Sequence, residues 1–453
     1  MIKMKGTADI LNGPIWKQIL IFFFPILLGT LFQQIYNTTD TVIVGNFVGK
    51  EALAAVGGSP FYIINIVIGF SVGLSSGFSV IIAQFFGSRK HKHLSDAIHT
   101  SMAFSIGVGI FVNIVMLLVS RPLLLALKVP AGAMKFSLDY MNIVSFGFVF
   151  TMVYNMCTAI FRAIGDSRRP LYFLMFSCAV NIVLDLAFVV ILKLDVRGVA
   201  IATVISQFLS ALLALRALVR AEGVWRITIK KIRIHPVMLY KMVRVGIPRA
   251  LQSVQFSVAN MLVQSSFNLL GITAVAGWTV DGKVEQVFWM ILNCFGVSIT
   301  VFTAQNLGAR KYERVREGLR VTLRMSFFTT AACSVIMLLM GPFFCRFFTS
   351  DPGVLAYAVS ILRICAPCYL FYIAVEIIAG FLYGLGISFE PMLIMTTGIC
   401  VFRIFWVIFV INAAPEPTLY RVITVYPTTW ALTSLMFILY YRFSRKRKHL
   451  MGM

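Results

Sequence analysis

The sequence predicts an all-α integral membrane protein with about twelve transmembrane helices in two six-helix lobes, related as parallel internal repeats. The composition is the first observation, because 59% of the 453 residues are hydrophobic, only 13% are charged and the mean hydropathy is +0.88. Soluble domains carry about 25% charged residues. The other two observations are apolar segments that recur with short breaks, and a likeness between the two halves of the chain.

The individual spans are predicted from apolar segments of about 20 residues, the length that crosses a hydrocarbon core of about 30 Å. The first segment begins basic and turns apolar, as a signal peptide does, but no small-residue cleavage site follows it, so it is predicted to be a span. Pro25 and Pro248 are natural kink points in the first and seventh spans. The predicted spans begin near Ile15, Leu53, Ser95, Met134, Leu171, Gly198, Pro236, Ala274, Leu319, Val354, Pro391 and Leu419.

An internal repeat relates the two halves. "IIAQFFGSRK" matches "FTAQNLGARK", and "FRAIGDSRRPL" matches "FLYGLGISFEPML". Gln84 and Gln305 are 221 residues apart, as are Gly165 and Gly386. Each half holds an even number of spans, so the halves are predicted to be parallel repeats with a site at or near their interface.

One long polar connection divides the chain almost in half and sets the predicted domains. Residues 1–222 form the N-lobe with helices one to six, and 223–240 form a cytoplasmic connection. Residues 241–453 form the C-lobe with helices seven to twelve and a basic cytoplasmic tail.

The net charge is +23, and the basic residues that produce it lie mainly in alternate connections between the predicted spans. Lys and Arg gather in segments such as "FFGSRKHKHLSDA", "LGARKYERVREGLR" and the tail "YYRFSRKRKH", whereas the connections around Lys50, Lys128 and Lys193 are sparse in basic residues. This positive-inside pattern predicts a multi-pass protein of the cell inner (plasma) membrane with both termini cytoplasmic. It favours anionic membrane lipids as partners and excludes nucleic acid.

Several motifs match known functional signatures but do not predict the corresponding function here. "CAPC", Cys365 to Cys368, lacks a second ligand pair and lies in an apolar run, so a metal or redox role is not predicted. "GLSSG", Gly73 to Gly77, fits the hydrolase elbow but lies in a span, where it predicts a close-packing helix face instead. No Walker loop, H-E-x-x-H or dinucleotide fingerprint occurs, so neither an enzyme nor a cofactor is predicted.

Acidic residues inside the spans of the first half are the candidate functional groups. A carboxylate at the centre of a span costs roughly 2.5–3.5 kcal/mol, so it is rare and usually functional. Asp40 in "NTTDTVIVGNFVG" follows an apolar run and shares a polar stripe with Gln33 and Asn37. Asn181 and Asp185 are four residues apart and share a helix face. Hydrogen bonding between helices is the alternative explanation.

The second half carries its polar residues differently. On the seventh segment a stripe of neutral polar residues stands where the first segment has its acid. Interhelical hydrogen bonding explains this stripe as well as a functional role does. Asp281, Lys283 and Glu285 can neutralise one another, so a structural role is open for them too. Arg363 and Arg403 near span ends are expected to snorkel or to pair. The neutral stripe consists of Gln252, Asn260, Gln264 and Asn268.

These motifs resemble the prokaryotic branch of the MATE family, the multidrug and toxic compound extrusion transporters. "NTTDTVIVGNFVGKEALAAVGGS" is similar to the first-helix signature and the loop after it. "AQFFGSRK", "FRAIGDSRRP", "NIVLDLAF", "GVAIATVISQ", "VGIPRALQ" and "AQNLGARK" extend the resemblance through both halves. The resemblance implies twelve helices in two lobes, and export of organic, often cationic, compounds against inward flow of Na⁺ or H⁺.

The resemblance also implies site residues. The N-lobe cation site of this branch uses an aspartate on helix one, an asparagine and an aspartate on helix five and a threonine on helix six. These match Asp40, Asn181, Asp185 and Thr203, which would be metal ligands only if Na⁺ is the coupling ion.

For the C-lobe the resemblance is incomplete. Some Na⁺-driven members carry an acid on helix seven, where this sequence reads Gln255, Phe256 and Ser257, so coupling through the N-lobe is favoured. Glu285 matches a glutamate that family members carry on helix eight. The possible C-lobe contributors are Glu285, Glu376, Gln252, Asn260 and Gln264.

The function predicted from the sequence is secondary active transport. The chain would export organic, amphipathic or cationic small molecules by antiport with H⁺ or Na⁺ through alternating access, as a monomer without a cofactor. The alternative is a flippase for lipid-linked precursors from the same wider superfamily. Flippases of that kind often hold a pyrophosphate in a strongly basic cavity, whereas few basic residues, such as Lys283, Arg363 and Arg403, fall inside predicted spans here.

Overall fold

The computed structural model describes residues 10–49, 52, 56–127, 129–411 and 418–446, and these residues are almost entirely helical, without a strand. The predicted span start at Leu53, the connections at Lys50 and Lys128 and the basic tail beyond residue 446 lie outside the described residues. Twelve long helices are described: α1 Ile15–Phe47, α2 Ser59–Gly87, α3 His91–Ala126, α4 Ala131–Ala163, α5 Arg168–Asp185, α6 Asp195–Val219, α7 Pro236–Asn268, α8 Ile272–Gly308, α9 Tyr312–Arg346, α10 Pro352–Gly384, α11 Phe389–Ile411 and α12 Leu419–Ser444.

Eleven of these helices are long and apolar enough to cross a membrane. The exception is α7, whose first half carries Lys241, Arg244 and Arg249 and whose second half carries the neutral polar stripe. The start of α9 also differs from the prediction. This helix begins at Tyr312 and not near Leu319, because its basic first turns are already helical before the apolar run. The predicted all-α membrane fold is confirmed.

The chain forms two compact units. The first unit contains residues 24–250, and the second contains residues 10–23 together with the chain from Leu251 onward. The boundaries fall inside α1 and α7, next to Pro25 and Pro248, and not at the polar connection 223–240. The first turns of α1 therefore pack with the second half of the sequence, and the first turns of α7 pack with the first half.

The repeat found in the sequence recurs in the backbone. Arg89 and Arg310 have positive φ angles of 56° and 59°, and Gly165 and Gly386 have φ angles of 91° and 85°. Each pair is separated by the repeat offset of 221 residues. The two glycines suit these turns because only glycine adopts such angles without a Cβ penalty.

The breaks within the helices repeat as well. A π-helical turn at Leu186–Ile191 extends α5, and another at Val407–Ile411 ends α11. They begin 221 residues apart. A π-helical turn is rare and often marks a functional site. The first of the two directly follows Asp185, one of the candidate site residues.

Glycines on α2 bring α7 to backbone contact within the first unit. A Cβ added at Gly73 would lie 2.8 Å from the Cα of Ala250, and one added at Gly77 would meet the backbone of Gly246. Only hydrogen fits at these positions, so the close-packing face predicted from "GLSSG" is confirmed for both glycines.

The first residues described are held inside the second unit. Lys311 donates from Nζ to the carbonyl oxygen of Leu11 at 2.8 Å and to Oδ1 of Asn12 at 2.9 Å. Arg314 donates from Nη2 to the carbonyl oxygen of Ile10 at 3.1 Å. The lead-in to α1 is therefore fixed by basic side chains of α9, which begins the second cytoplasmic repeat motif.

Candidate functional site

The polar site of the first unit is built from three helices. Asp40 comes from α1, Asn181 and Asp185 come from α5, and Thr203 comes from α6. All four side chains are buried, and Asn181 and Asp185 are completely inaccessible. The four-residue spacing on α5 directs the asparagine and the aspartate to the same side of the helix.

The carboxyl groups of Asp40 and Asp185 lie close to each other. Neither of them forms an ion pair with a basic side chain among the residues that the structure describes. Two ionised carboxylates have no proton to share and repel each other, so such a close approach requires one proton or one bound cation. This pair is the central chemical feature of the first unit.

Unused hydrogen-bonding capacity surrounds the pair. No donor among the described residues reaches one oxygen of Asp40 or either oxygen of Asp185. The side-chain oxygen and nitrogen of Asn181 likewise have no partner in the described part of the chain. A buried polar group without a partner costs about 1–3 kcal/mol, and such groups are uncommon. Several of them together indicate a place for an exchangeable proton, a cation or water.

Two tyrosines complete the site and were not predicted. Tyr36 precedes Asp40 by one helical turn, and its side chain lies near Thr203. Tyr140 of α4 lies close to both Asp40 and Asp185. The position of Tyr36 four residues before Asp40 was a usable signal, whereas nothing in the sequence around Tyr140 marked it.

The predicted stripe on α1 is only partly correct. Gln33 and Asn37 are exposed, so they do not contribute to the buried site. The groups that do contribute all offer an oxygen atom as a ligand: two carboxyls, one amide, one threonine hydroxyl and two phenols. Oxygen ligands suit a hard cation such as Na⁺, and a carboxyl pair equally suits a proton. No cluster of three or more His, Cys, Asp or Glu side chains occurs in the described part of the chain.

Comparison with known protein families gives a match in both halves. The model of the family described as MatE matches residues 25–187 and again residues 248–408, more than half of the chain. The chain belongs to the MatE family. It is accordingly a multi-pass membrane protein. The two matches begin at Pro25 and Pro248, close to the boundaries of the two structural units.

Relatives of this MatE protein cover nearly its full length. It is 25% identical over 447 residues to a probable multidrug resistance protein, YoeA, of Bacillus subtilis (strain 168), which covers 96% of this chain and 95% of the relative. It is 22% identical over 401 residues to an FAD transporter of Shewanella oneidensis, with 88% of each chain covered.

Among solved structures, a MOP superfamily transporter from Pyrococcus furiosus has the same fold. The TM-score is 0.91 at 22% sequence identity, and the match covers 98% of this chain and 99% of the other. That transporter is described as having a binding pocket of reverse polarity.

The second unit of the MatE chain carries its own pair of buried acids. Asp281 and Glu285 lie on one face of α8, with exposed fractions of 0% and 6%. Glu285 accepts hydrogen bonds from the Tyr369 hydroxyl at 2.6 Å and from Trp289 Nε1 at 3.3 Å, whereas neither oxygen of Asp281 has a donor in the described part of the chain. Lys283 is exposed, so the predicted neutralisation of these acids by Lys283 is wrong.

The other candidates of the second half serve different contacts. Gln252 accepts a hydrogen bond from the Tyr383 hydroxyl, and Asn260 accepts one from Arg403 Nη1 at 2.6 Å. Glu376 is half-buried beside Gly296. Gln264 is half-buried on α7.

Arg403 differs most from its prediction. Its exposed fraction is 0%, so it does not snorkel to a membrane surface, whereas Arg363 is exposed as a snorkelling residue would be. Asn260 of α7 draws the guanidinium inward. The second unit therefore contains a buried cation as well as two buried acids.

Proposed function

We propose that this MatE protein is a secondary active transporter that exports organic, amphipathic or cationic compounds by antiport with H⁺ or Na⁺ through alternating access. The observation that carries the proposal is the close approach of the buried carboxyl groups of Asp40 and Asp185 without a basic partner among the described residues. Such a pair is stable only when a proton or a cation neutralises it.

Coupling would follow from the exchange of this neutralising charge. When the site opens to the outside, the pair takes up one H⁺ or one Na⁺. When it opens to the cytoplasm, the pair releases that charge. Each charge that moves inward gains about 2.3 kcal/mol per 100 mV of membrane potential, and this free energy drives the export step.

The aromatic cluster of the second unit supports an amphipathic substrate. The ring of Trp278 stacks on Phe267 with centroids 4.4 Å apart and on Tyr426 with centroids 5.2 Å apart. Trp289 continues the cluster towards Tyr369 and the buried acid pair. Aromatic faces attract organic cations, and carboxylates neutralise them. We propose that the transporter acts as a monomer, without a cofactor and without catalysing a reaction.

The distribution of charge supports a plasma-membrane location with cytoplasmic termini. In the first unit a basic cavity of about 510 Å³ lies where the 3₁₀ turn Ile229–Lys231 meets the start of α3. We place this cavity at the cytoplasmic surface, beside anionic lipid head groups. It is lined by Lys92, Ser95, Asp96, His99, Lys230, Lys231, Arg233 and His235.

Cysteine labelling tests this orientation. Cysteines that replace Lys50 or Lys193 are expected to react with a membrane-impermeant maleimide in intact cells, because both belong to connections that are poor in basic residues. Cysteines that replace Lys90 or Lys230 are expected to react only after the cells are opened. The parent chain gives the background signal of its eight native cysteines. The reverse pattern would mean that the protein has the opposite orientation.

Transport in proteoliposomes tests the proposed function itself. The purified chain is reconstituted, and a panel of cationic and neutral amphipathic compounds is followed under a Na⁺ gradient alone and under a pH gradient alone. Gradient-dependent movement of at least one compound is expected, and the effective gradient identifies the coupling ion. Movement that ignores both gradients would refute antiport.

A further inference from the structure

Arg403 has an unusual position for an arginine in a membrane helix. It lies on the short α-helical segment Phe402–Trp406, between the π-helical segments Thr396–Val401 and Val407–Ile411. Its side chain is completely inaccessible. Two π-helical turns around one residue are uncommon, and such turns are frequent at functional sites because they redirect side chains.

The guanidinium group uses only part of its capacity to donate hydrogen bonds. Nη1 donates to Oδ1 of Asn260 at 2.6 Å, while Nε and Nη2 have no partner among the residues that the structure describes. Nε and Nη2 form one edge of the planar group and present two parallel N–H bonds. This edge matches the two oxygens of a carboxylate or a phosphoryl group in a bidentate arrangement.

The charge of Arg403 is also incompletely compensated. It forms no ion pair with any carboxylate among the described residues. Its guanidinium carbon lies 4.5 Å from the ring centroid of Tyr426 and 5.9 Å from that of Phe256. Cation–π contacts of this kind offset only a part of the free-energy cost of burying an ion. The two rings and Asn260 therefore do not fully compensate the positive charge of the buried guanidinium, and an anion beside it would be stabilised.

The two buried acids of α8, Asp281 and Glu285, form no ion pair with Arg403, and neither does Glu376, although Tyr372 lies near both Glu376 and Arg403. Glu285 is engaged by Tyr369 and Trp289. Tyr426 lies near Arg403 and near both Asp281 and Glu285. The unit thus has a cationic group and an acidic pair that approach the same aromatic ring without forming an ion pair with each other.

We propose that Arg403 is a specificity-determining residue that binds a carboxylate or phosphoryl group of the transported compound. The aromatic body of that compound would lie against Tyr426 and Phe256, which flank the guanidinium. This inference rests on the proposed export function and narrows its substrate class to amphipathic compounds with an anionic oxygen group. Zwitterions belong to this class, because their cationic group can use the acidic pair.

Binding of matched flavins to the purified full-length chain tests the proposal, since flavins are planar, fluorescent and soluble in water. The anionic probes are 10-carboxymethylflavin and riboflavin 5′-phosphate. Their neutral counterparts are the primary amide of the former and riboflavin. Because a hydrogen bond to a charged group contributes about 1.5–3 kcal/mol, we expect each anionic probe to bind about 10- to 100-fold more tightly than its counterpart. A preference confined to one pair identifies whether the group is carboxylate or phosphoryl.

Variants assign the preference to Arg403. Arg403→Gln is expected to lower the affinity for the anionic probes to that for the neutral ones and to leave the neutral affinities unchanged. Arg403→Lys keeps the charge but loses the bidentate edge, so an intermediate preference is expected. Arg363→Gln is the matched control because Arg363 is exposed in the same unit. Arg233→Gln controls for anion binding in the basic cavity. Both controls should retain the full preference.

Two results would overturn the inference: equal affinities of wild type for charged and neutral probes, or a preference that survives in Arg403→Gln. The wild-type comparison and Arg403→Lys decide the matter even where Arg403→Gln does not fold. Binding requires no gradient, so the outcome is separate from the export proposal. A charge preference without gradient-driven transport would refute export alone, and transport without the preference would refute the role of Arg403 alone.

Discussion

Replacing Asp40 with asparagine is expected to abolish gradient-driven export while the chain remains folded and inserted. Asparagine keeps the size and much of the hydrogen bonding of aspartate, but it cannot hold an exchangeable proton or a net negative charge. Asp185→Asn should have the same effect, because both acids share one neutralising charge. The double variant should be no worse than either single variant, as expected for residues that act in one network.

The measurement is the initial rate of export in proteoliposomes under a fixed gradient, together with substrate binding. Asp139→Asn is the matched control, since Asp139 is a surface acid of the same unit that pairs with Arg197 at 2.8 Å. It should leave the rate nearly unchanged. Glu376→Gln should have a milder effect than Asp40→Asn. Normal coupled transport by Asp40→Asn would refute the mechanism, and a loss confined to Glu376→Gln would assign coupling to the second unit.

Gly77→Leu is expected to destroy the packing of the first unit. A Cβ at this position meets the backbone of Gly246 on α7, which cannot yield as a flexible side chain would. Overpacking in a well-packed core costs about 1–3 kcal/mol, and a displaced helix costs more. We expect most of the variant protein to aggregate or to be degraded.

Gly107→Leu provides the comparison for this variant. Gly107 also lies in a membrane-spanning helix, but a Cβ there would meet nothing within 4 Å. Its replacement should leave the yield of monodisperse protein and the midpoint of thermal unfolding close to those of wild type. Equal yields and equal midpoints for the two variants would show that α2 and α7 do not need backbone contact at Gly77.

Most of the first-unit site could be predicted from the sequence because acids in apolar runs are rare. Asp40 and Asp185 stand out against their surroundings, and the spacing of Asn181 and Asp185 fixes a common face. Tyr36 could have been found from its position one helical turn before Asp40, but a tyrosine in a membrane helix is ordinary and does not stand out as an acid does. Tyr140 carries no such indication, because its relevance depends on which helices pack together, which the spacing along one helix cannot reveal.

The second unit was harder to predict, for a physical reason that Arg403 illustrates. A regular helical period places each residue on a definite face, but π-helical turns at Thr396–Val401 and Val407–Ile411 shift that period on both sides of the arginine. Its direction therefore could not be extrapolated from the helix ends. For Lys283 the error was different: a basic residue between two acids suggested pairing, although a residue two positions from each acid points away from them.

The first turns of α1 belong to the second unit and the first turns of α7 belong to the first unit, with the boundaries next to Pro25 and Pro248. This arrangement has a consequence for dividing the gene. A cut in the polar connection between α6 and α7 looks natural, because it separates the two sequence repeats. The N-terminal fragment would then carry away Ile10–Phe23, the piece that Lys311 and Arg314 hold in the second unit. The C-terminal fragment would take the start of α7, whose backbone Gly73 and Gly77 accommodate in the first unit. Each fragment would lack a part of its own unit and would have to recover it from the other, so we expect neither repeat to fold as a separate polypeptide when the chain is cut there.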